Sequence, residues 1–364
     1  MEHAVILDHR ALYCALGTLE TSTTALLRGM SAIRPGPCFD LPVAFAPFDD
    51  SAFRAPEQIV PVLKNAMPVL PQQPFFIYAA AKGDIRALEP YHRQTGLPAE
   101  VSPCLADQAN HFATLLGIKP YRTQVVSNAC ASGAVAVAIA KNLLENDSCS
   151  EVVIAGFDVI SLFVISGFHA LGALSPTGPR PFDRTRDGLS LGDGAAVAVL
   201  RRGKPRKGDI IISGADQSND ANHRTGPSRT GEGLYLAAAG ALEDASIQPD
   251  RIGAVKCHGT ATVYNDAMES KAVNRLFSDN PPPCFSLKGA IGHTSGAGSL
   301  LELLLAAEFL RRRSIPPTIH FSEADPDAPL PVSSAIQEFT TPSILCLSAG
   351  FGGLNAAVVL SEAA

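Results

Sequence analysis

The stretch Gly192-Asp193-Gly194-Ala195-Ala196-Val197-Ala198-Val199-Leu200 has an echo late in the chain, Gly352-Gly353-Leu354-Asn355-Ala356-Ala357-Val358-Val359-Leu360. Each is a glycine turn that opens into an apolar run with the continuous hydrophobicity of a strand buried on both faces. Each also closes one half of the chain. Around them, short β-branched runs (Ala4–Leu7, Phe75–Tyr78, Gln124–Val126, Val152–Ala155, Asp209–Ser213, Ile252–Lys256, Cys284–Leu287, Ile344–Ser348) alternate with helical patterns over Leu105–Leu116, Ala131–Leu144, Gly231–Ala245, Asp266–Phe277 and Gly296–Arg312. Alternation of this kind predicts α/β layers, and the echo predicts two similar halves, 1–202 and 203–364. The basic stretch Arg201–Lys207 reads as the linker between them. Gly133–Ala140 is apolar nearly all round, which predicts a buried helix rather than an amphipathic one. The proline-bearing segment Pro35–Leu70 reads as irregular cover.

The bulk composition narrows the class. At 364 residues and 46% hydrophobic, with 18% charged residues, 30 glycines and 28 prolines, the chain has enough apolar surface for a large, turn-rich core. A net charge of −6 without a long basic run excludes a general nucleic-acid binder, and Arg311-Arg312-Arg313 reads as a solvated helix end. The eight cysteines are scattered, without a CxxC pair or metal-ligand spacing, so no metal is expected. The start, Met1-Glu2-His3, is not basic and no cleavage site comes after it. No apolar run approaches the roughly 18 residues needed to span a membrane. These features point to a reducing, cytoplasmic setting in which most thiols are small buried hydrophobes.

One thiol stands apart. Cys130 lies in Ser127-Asn128-Ala129-Cys130-Ala131-Ser132-Gly133, a small-residue turn at a helix start, where backbone N–H groups and the helix dipole favour thiolate. Two histidines lie further on in glycine-bounded turns, His258 in Cys257-His258-Gly259-Thr260-Ala261-Thr262 and His293 in Lys288-Gly289-Ala290-Ile291-Gly292-His293. Taken singly, each has a bland reading as inert packing or a capped core residue. His3, His9, His92, His111, His169, His223 and His320 lack such a setting and read as ordinary. Neither glycine-rich turn fits GxGxxG and no GK[ST] occurs, so a dinucleotide or phosphate cradle is discarded.

Five segments together carry a family likeness. They are the Cys130 turn, Arg180-Pro181-Phe182-Asp183-Arg184-Thr185-Arg186-Asp187-Gly188 running into Gly192-Asp193-Gly194, the His258 turn with Asp266 and Glu269, Lys288 five before His293, and Gly350-Phe351-Gly352-Gly353. In that order they resemble the elongating β-ketoacyl-acyl-carrier-protein synthases. The resemblance implies a thiolase-like fold of duplicated βαβαβαββ halves in an αβαβα sandwich, the first half carrying Cys130 and the second both histidines. It implies acyl transfer to Cys130, decarboxylation of a malonyl thioester assisted by His258 and His293, and an oxyanion hole at the backbone N–H groups of Cys130 and Phe351.

The same resemblance assigns supporting roles. Lys288 and Glu269 form a buried pair, and Asp266 fixes the loop after His258, with a plain helix N-cap as the rival reading. Thr260 and Thr262 bond the phosphopantetheine carried by an acyl carrier protein; local turn bonding is the alternative. Phe351, freed by Gly350 and Gly352, acts as a gate, and Phe168 lines the acyl tunnel or is a core Phe. No permanently bound cofactor is implied. The partner is an acidic acyl carrier protein, met by a basic surface at the tunnel mouth. A homodimer is implied, with a heterodimer with a second ketosynthase-like chain as the alternative; the apolar helix after Cys130 and its neighbouring strand suit that interface. The chain departs from the pattern at Ala349 and Leu354, where phenylalanine and threonine are usual, and has fewer residues ahead of Cys130. A coenzyme A acyltransferase of thiolase type is the rival enzyme, with Cys346 the nearest second cysteine.

Overall fold

The computed structural model describes residues 3–38, 41–48, 55–67, 69–83, 85–91, 102 and 104–364. Ten strands form the main path of its large sheet: β1 (Ala4–Cys14), β2 (Phe75–Ala79), β3 (Arg122–Val126), β4 (Glu151–Asp158), β5 (Gly194–Gly203), β6 (Ile210–Asn219), β7 (Ala254–Lys256), β8 (Cys284–Phe285), β9 (Ser343–Gly350) and β10 (Leu354–Glu362). Their spatial order is β8-β7-β9-β10-β6-β1-β5-β4-β2-β3, with Gly17–Thr18 added on β1. Strands β5 and β10 are the two echoing runs. On one side β5 lies antiparallel between β1 and β4, and β4, β2 and β3 run parallel; on the other β10 lies antiparallel between β6 and β9, and β9, β7 and β8 run parallel. The halves meet where Ile6 of β1 pairs with Ile211 of β6.

Among the described residues eight longer helices accompany the strands: α1 (Leu19–Leu27), α2 (Pro56–Asn65), α3 (Leu105–Leu116), α4 (Ser132–Glu145), α5 (Leu162–Ala170), α6 (Glu232–Ala245), α7 (Val263–Leu276) and α8 (Ser295–Arg312). Three apolar cores define five layers. One joins α2 and α3 to the outer face of the first half-sheet, a second joins α6 and α7 to the outer face of the other, and the largest surrounds α4 and α8 between the two. An apolar strand with both faces covered and an all-round apolar helix are what such a stack requires. At the centre α4 and α8 approach so closely that a Cβ on Gly133 would lie 2.4 Å from Leu300 N.

Three expectations are corrected. The helix after Cys130 is buried inside this chain, between the two half-sheets, rather than on a face left for a partner. Strand β3, by contrast, has a free sheet edge among the described residues. The described part of 35–70 is not irregular: Arg34–Cys38 and Leu41–Ala46 pair antiparallel and Pro56–Asn65 forms α2, with Ile59, Val60 and Leu63 buried, so apolar anchoring outweighs the helix-breaking Pro61. The linker is shorter than expected. Arg201 and Arg202 belong to β5, where they pair with Asp8 and Asp147, and the turn occupies 204–209.

Candidate active site

The parallel strands of both halves end on the same side of the molecule, and the site is built from the turns at those ends. After β3 comes a 3₁₀ turn over Ala129–Ala131 that carries Cys130 into α4; its Ala129 is held at φ 47°. The end of β9 presses on this turn, since a Cβ on Gly350 would stand 3.2 Å from Cys130 N. After β7 comes the His258 turn. Both oxygens of Glu269, on α7, accept backbone N–H bonds there, from His258 (2.5 Å) and Gly259 (2.8 Å). Asp266 accepts from Ala261 N (3.2 Å) and Phe182 N (2.8 Å), which ties the loop after His258 to the first half. His293, just before α8, is clamped to the first half as well: its N–H donates to Ser190 O (2.7 Å) and its carbonyl accepts from Gly192 N (3.1 Å).

These turns bring the three side chains together. His293 Nε2 lies 3.0 Å from Cys130 Sγ, and the rings of His258 and His293 meet edge to face with centroids 5.5 Å apart. All three line a pocket of about 400 Å³ with Thr260, Thr262, Phe168, Ala349 and Phe351. The Thr260 and Thr262 hydroxyls share a 3.0 Å hydrogen bond at its wall, and the Phe168 and Phe351 rings pack with centroids 5.5 Å apart and planes tilted by 36°. Gly352 holds φ 88° and donates to Arg224 O (2.8 Å), fixing the loop beyond Phe351.

Lys288 does not pair with Glu269. Its ammonium donates to Glu302 Oε1 (2.5 Å) and to the His258 carbonyl (2.7 Å), and stands 3.5 Å from His258 Nδ1. Because an ammonium only donates, Nδ1 is the acceptor and the His258 proton sits on Nε2. The second oxygen of Glu302 takes a bond from Lys256 (2.7 Å), which also donates to Leu347 O (2.7 Å). Sequence reasoning missed Lys256 and Glu302, although each signals itself as a lone charge in an apolar run, and buried charges require partners. It also missed Asp158, buried beside the site and bonded to Lys82 and to Gly296 N (3.2 Å), and His223, which lines the pocket mouth. His92 lies outside the described residues.

The electrostatics correct one further expectation. Burial pushes the Cys130 thiol up to about 11, with Lys288 opposing and Asp158 adding. That rise from about 9 disfavours thiolate by roughly 3 kcal/mol. A helix terminus typically returns about 0.3–1 kcal/mol, and about 2 at best. The resting sulfur is therefore a thiol. Burial, reinforced by Lys288, pushes His293 down to about 3 and His258 well below the usual range, so both imidazoles are neutral. Burial pushes Glu269 up to about 7 against its backbone donors, and Asp266 to about 6. Burial lowers Lys288 and Lys256 adds to this, while Glu302 opposes; for Lys256, burial also lowers, but Glu302, Cys346 and Glu269 together hold it raised.

Comparison with known proteins defines the class. Residues 78–205 match the β-ketoacyl synthase N-terminal domain and residues 210–322 the C-terminal domain. The chain belongs to the β-ketoacyl synthase family, with its thiolase-like layered fold. Over 252 residues it is 32% identical to the 3-oxoacyl-[acyl-carrier-protein] synthase 2 of Coxiella burnetii, matching 65% of this chain and 61% of that one. Over 255 residues it is 34% identical to the tetracenomycin polyketide synthase ketoacyl synthase alpha subunit of Streptomyces glaucescens, matching 65% and 59%. The match thus spans about three fifths of the length of these relatives. Among solved structures, the ishigamide ketosynthase/chain length factor superposes with a TM-score of 0.87 at 25% identity, covering all of both chains.

Proposed function

We propose that the chain is a decarboxylative condensing enzyme that joins an acyl group held on Cys130 to malonyl-acyl carrier protein, releasing carbon dioxide and a 3-oxoacyl thioester. The observation that carries this reading is the 3.0 Å approach of His293 Nε2 to Cys130 Sγ, with His258 edge-on beside it in one pocket. In the first step the sulfur attacks the acyl thioester and its proton passes to the departing pantetheine thiol, with neutral His293 placed to carry it. In the second, malonyl loses carbon dioxide and leaves an enolate. Two neutral imidazoles, each able to present an Nε2–H, are suited to hold that oxygen. The enolate carbon then attacks the acyl-Cys130 carbonyl, whose oxyanion faces the backbone N–H groups of Cys130 and Phe351, and the thiolate leaves. The half 1–202 supplies the nucleophile and the half 203–364 both imidazoles.

The pocket wall at Thr260 and Thr262 suits the amides of the phosphopantetheine arm, which arrives as part of the substrate. Beside the mouth, a cleft lined by His223, Arg229, Tyr264 and Lys271 gives the basic and aromatic surface that an acidic carrier protein would meet. The free edge of β3 suits pairing with a second copy, or with a second ketosynthase-like chain as in the ketosynthase/chain length factor neighbour. An inactive partner subunit alone is disfavoured by the complete set of Cys130, His258 and His293. A thiolase-type acyltransferase is disfavoured because Cys346 is buried away from the pocket and its thiol is pushed up to about 12. Among the described residues no helix is long and apolar enough to cross a membrane, and we place the protein in the cytoplasm. Mass-tagged malonyl-carrier protein incubated with an acyl-carrier series tests the reading. A 3-oxoacyl product from the native chain supports it; acyl exchange onto coenzyme A without carbon dioxide release would overturn it.

A further inference from the structure

The site contains a second buried lysine for which the condensation chemistry has no use. Lys256 is wholly buried two residues before His258, and its ammonium reaches Glu302 Oε2 and Leu347 O, both at 2.7 Å. Glu302 is thereby divided, one oxygen to each lysine, with Lys288 on the other at 2.5 Å. Leu347 belongs to β9, the strand that ends at the Phe351 gate. One side chain therefore joins the strand before His258, the helix after His293 and the strand before the gate. Such a residue is costly: burying an ammonium has to be offset by charge and hydrogen bonds, and a packed apolar side chain there would avoid the cost.

We propose that Lys256 is a positioning residue for the two imidazoles: it fixes Glu302 so that a single oxygen faces Lys288 beneath His258, and it leaves two ammonium groups on one carboxylate. The proposal rests on the condensing role assigned to this pocket. The excess positive charge opposes protonation of His258 and His293, and Lys256 lowers both. The other groups facing them are Lys288, Glu302, Glu269, Asp266 and the Cys130 thiol, with Lys82 and Asp158 from the first half. Kept neutral, His258 presents its Nε2–H to the enolate, and His293 can accept the Cys130 proton at Nε2.

The test uses Lys256→Met in the full chain, read in two ways. Malonyl-carrier decarboxylation should lose about 30-fold in kcat with KM nearly unchanged, less than the 10²–10³ typical of deleting a direct donor. The ¹³C-labelled His258 imidazole should titrate about one pH unit higher than in the native protein. Lys256→Arg, which keeps the charge, should restore the titration. If Lys256→Met does not fold, Lys256→Gln is read the same way. A kcat within about threefold of native, or a fall in kcat with the His258 titration unmoved, overturns the proposal. A native chain that releases no carbon dioxide would instead contradict the proposed function, and the titration would still decide the role of Lys256.

Discussion

His293 Nε2 stands 3.0 Å from Cys130 Sγ, and both groups are neutral at pH 7 because burial raises one and lowers the other. The nucleophile is thus formed during attack rather than stored as a thiolate. Alkylation of the free protein by iodoacetamide, monitored by intact mass, should rise about tenfold per pH unit from pH 7 toward about 11. A plateau below pH 8 would show a preformed thiolate.

The same burial makes His293 an acid-sensitive element of the fold. Its value falls from about 6.5 unfolded to about 3 folded, so the unfolded chain takes up the proton first. Stability from this group is complete above about pH 6.5 and lost as pH falls toward 3, by several kcal/mol. Asp266 and Glu269 are raised and act in the opposite sense, losing stability as pH rises through about 6 and about 7. The difference between native and His293→Gln in urea unfolding isolates the histidine. That difference should shrink as pH is lowered from 6.5 to 4.

Glu269 holds the His258 turn through two backbone donors at 2.5 and 2.8 Å. Glu269→Gln keeps one acceptor oxygen and turns an amide N–H toward the other donor. Unfolding measurements should show a loss of about 1–3 kcal/mol. Decarboxylation should slow while Cys130 alkylation stays at the native rate.

Gly133 lies in α4, where replacing an exposed glycine by alanine would add about 1 kcal/mol. Here the new Cβ would meet Leu300 N at 2.4 Å and Ser299 Oγ at 2.9 Å, and that hydroxyl accepts from Ala134 N at 3.0 Å. Gly133→Ala should therefore destabilise by about 1–3 kcal/mol through overpacking. It should also slow acyl loading, because α4 carries the Cys130 turn at its start. A raised melting temperature would contradict the close helix contact.

The strand and helix pattern was legible because the layers bury both faces of β5 and β10, which leaves unbroken apolar runs. Cys130, His258 and His293 were legible as polar residues set in small-residue turns. Helix α5 was missed: its run Leu162-Phe163-Val164-Ile165 resembles a strand, and the cap at Ser161, which accepts from Val164 N, went unread. The Lys288 partner was misassigned because the resemblance groups Glu269 with the His258 turn, although Glu302 is nearer to Lys288 along the chain. The true partner, Glu302, sits in Leu300-Leu301-Glu302-Leu303-Leu304-Leu305, and only the three-dimensional meeting of α8 with β7 brings Lys256 to its other oxygen.

The division of labour between sulfur and imidazoles is tested most directly by measuring acyl adduct and carbon dioxide separately in Cys130→Ala, His258→Ala and His293→Ala. The account predicts that Cys130→Ala forms no acyl adduct yet still releases carbon dioxide from malonyl-carrier protein, and that both histidine variants release little or none. Acylation of Cys130→Ala, or decarboxylation at the native rate without either imidazole, would contradict it.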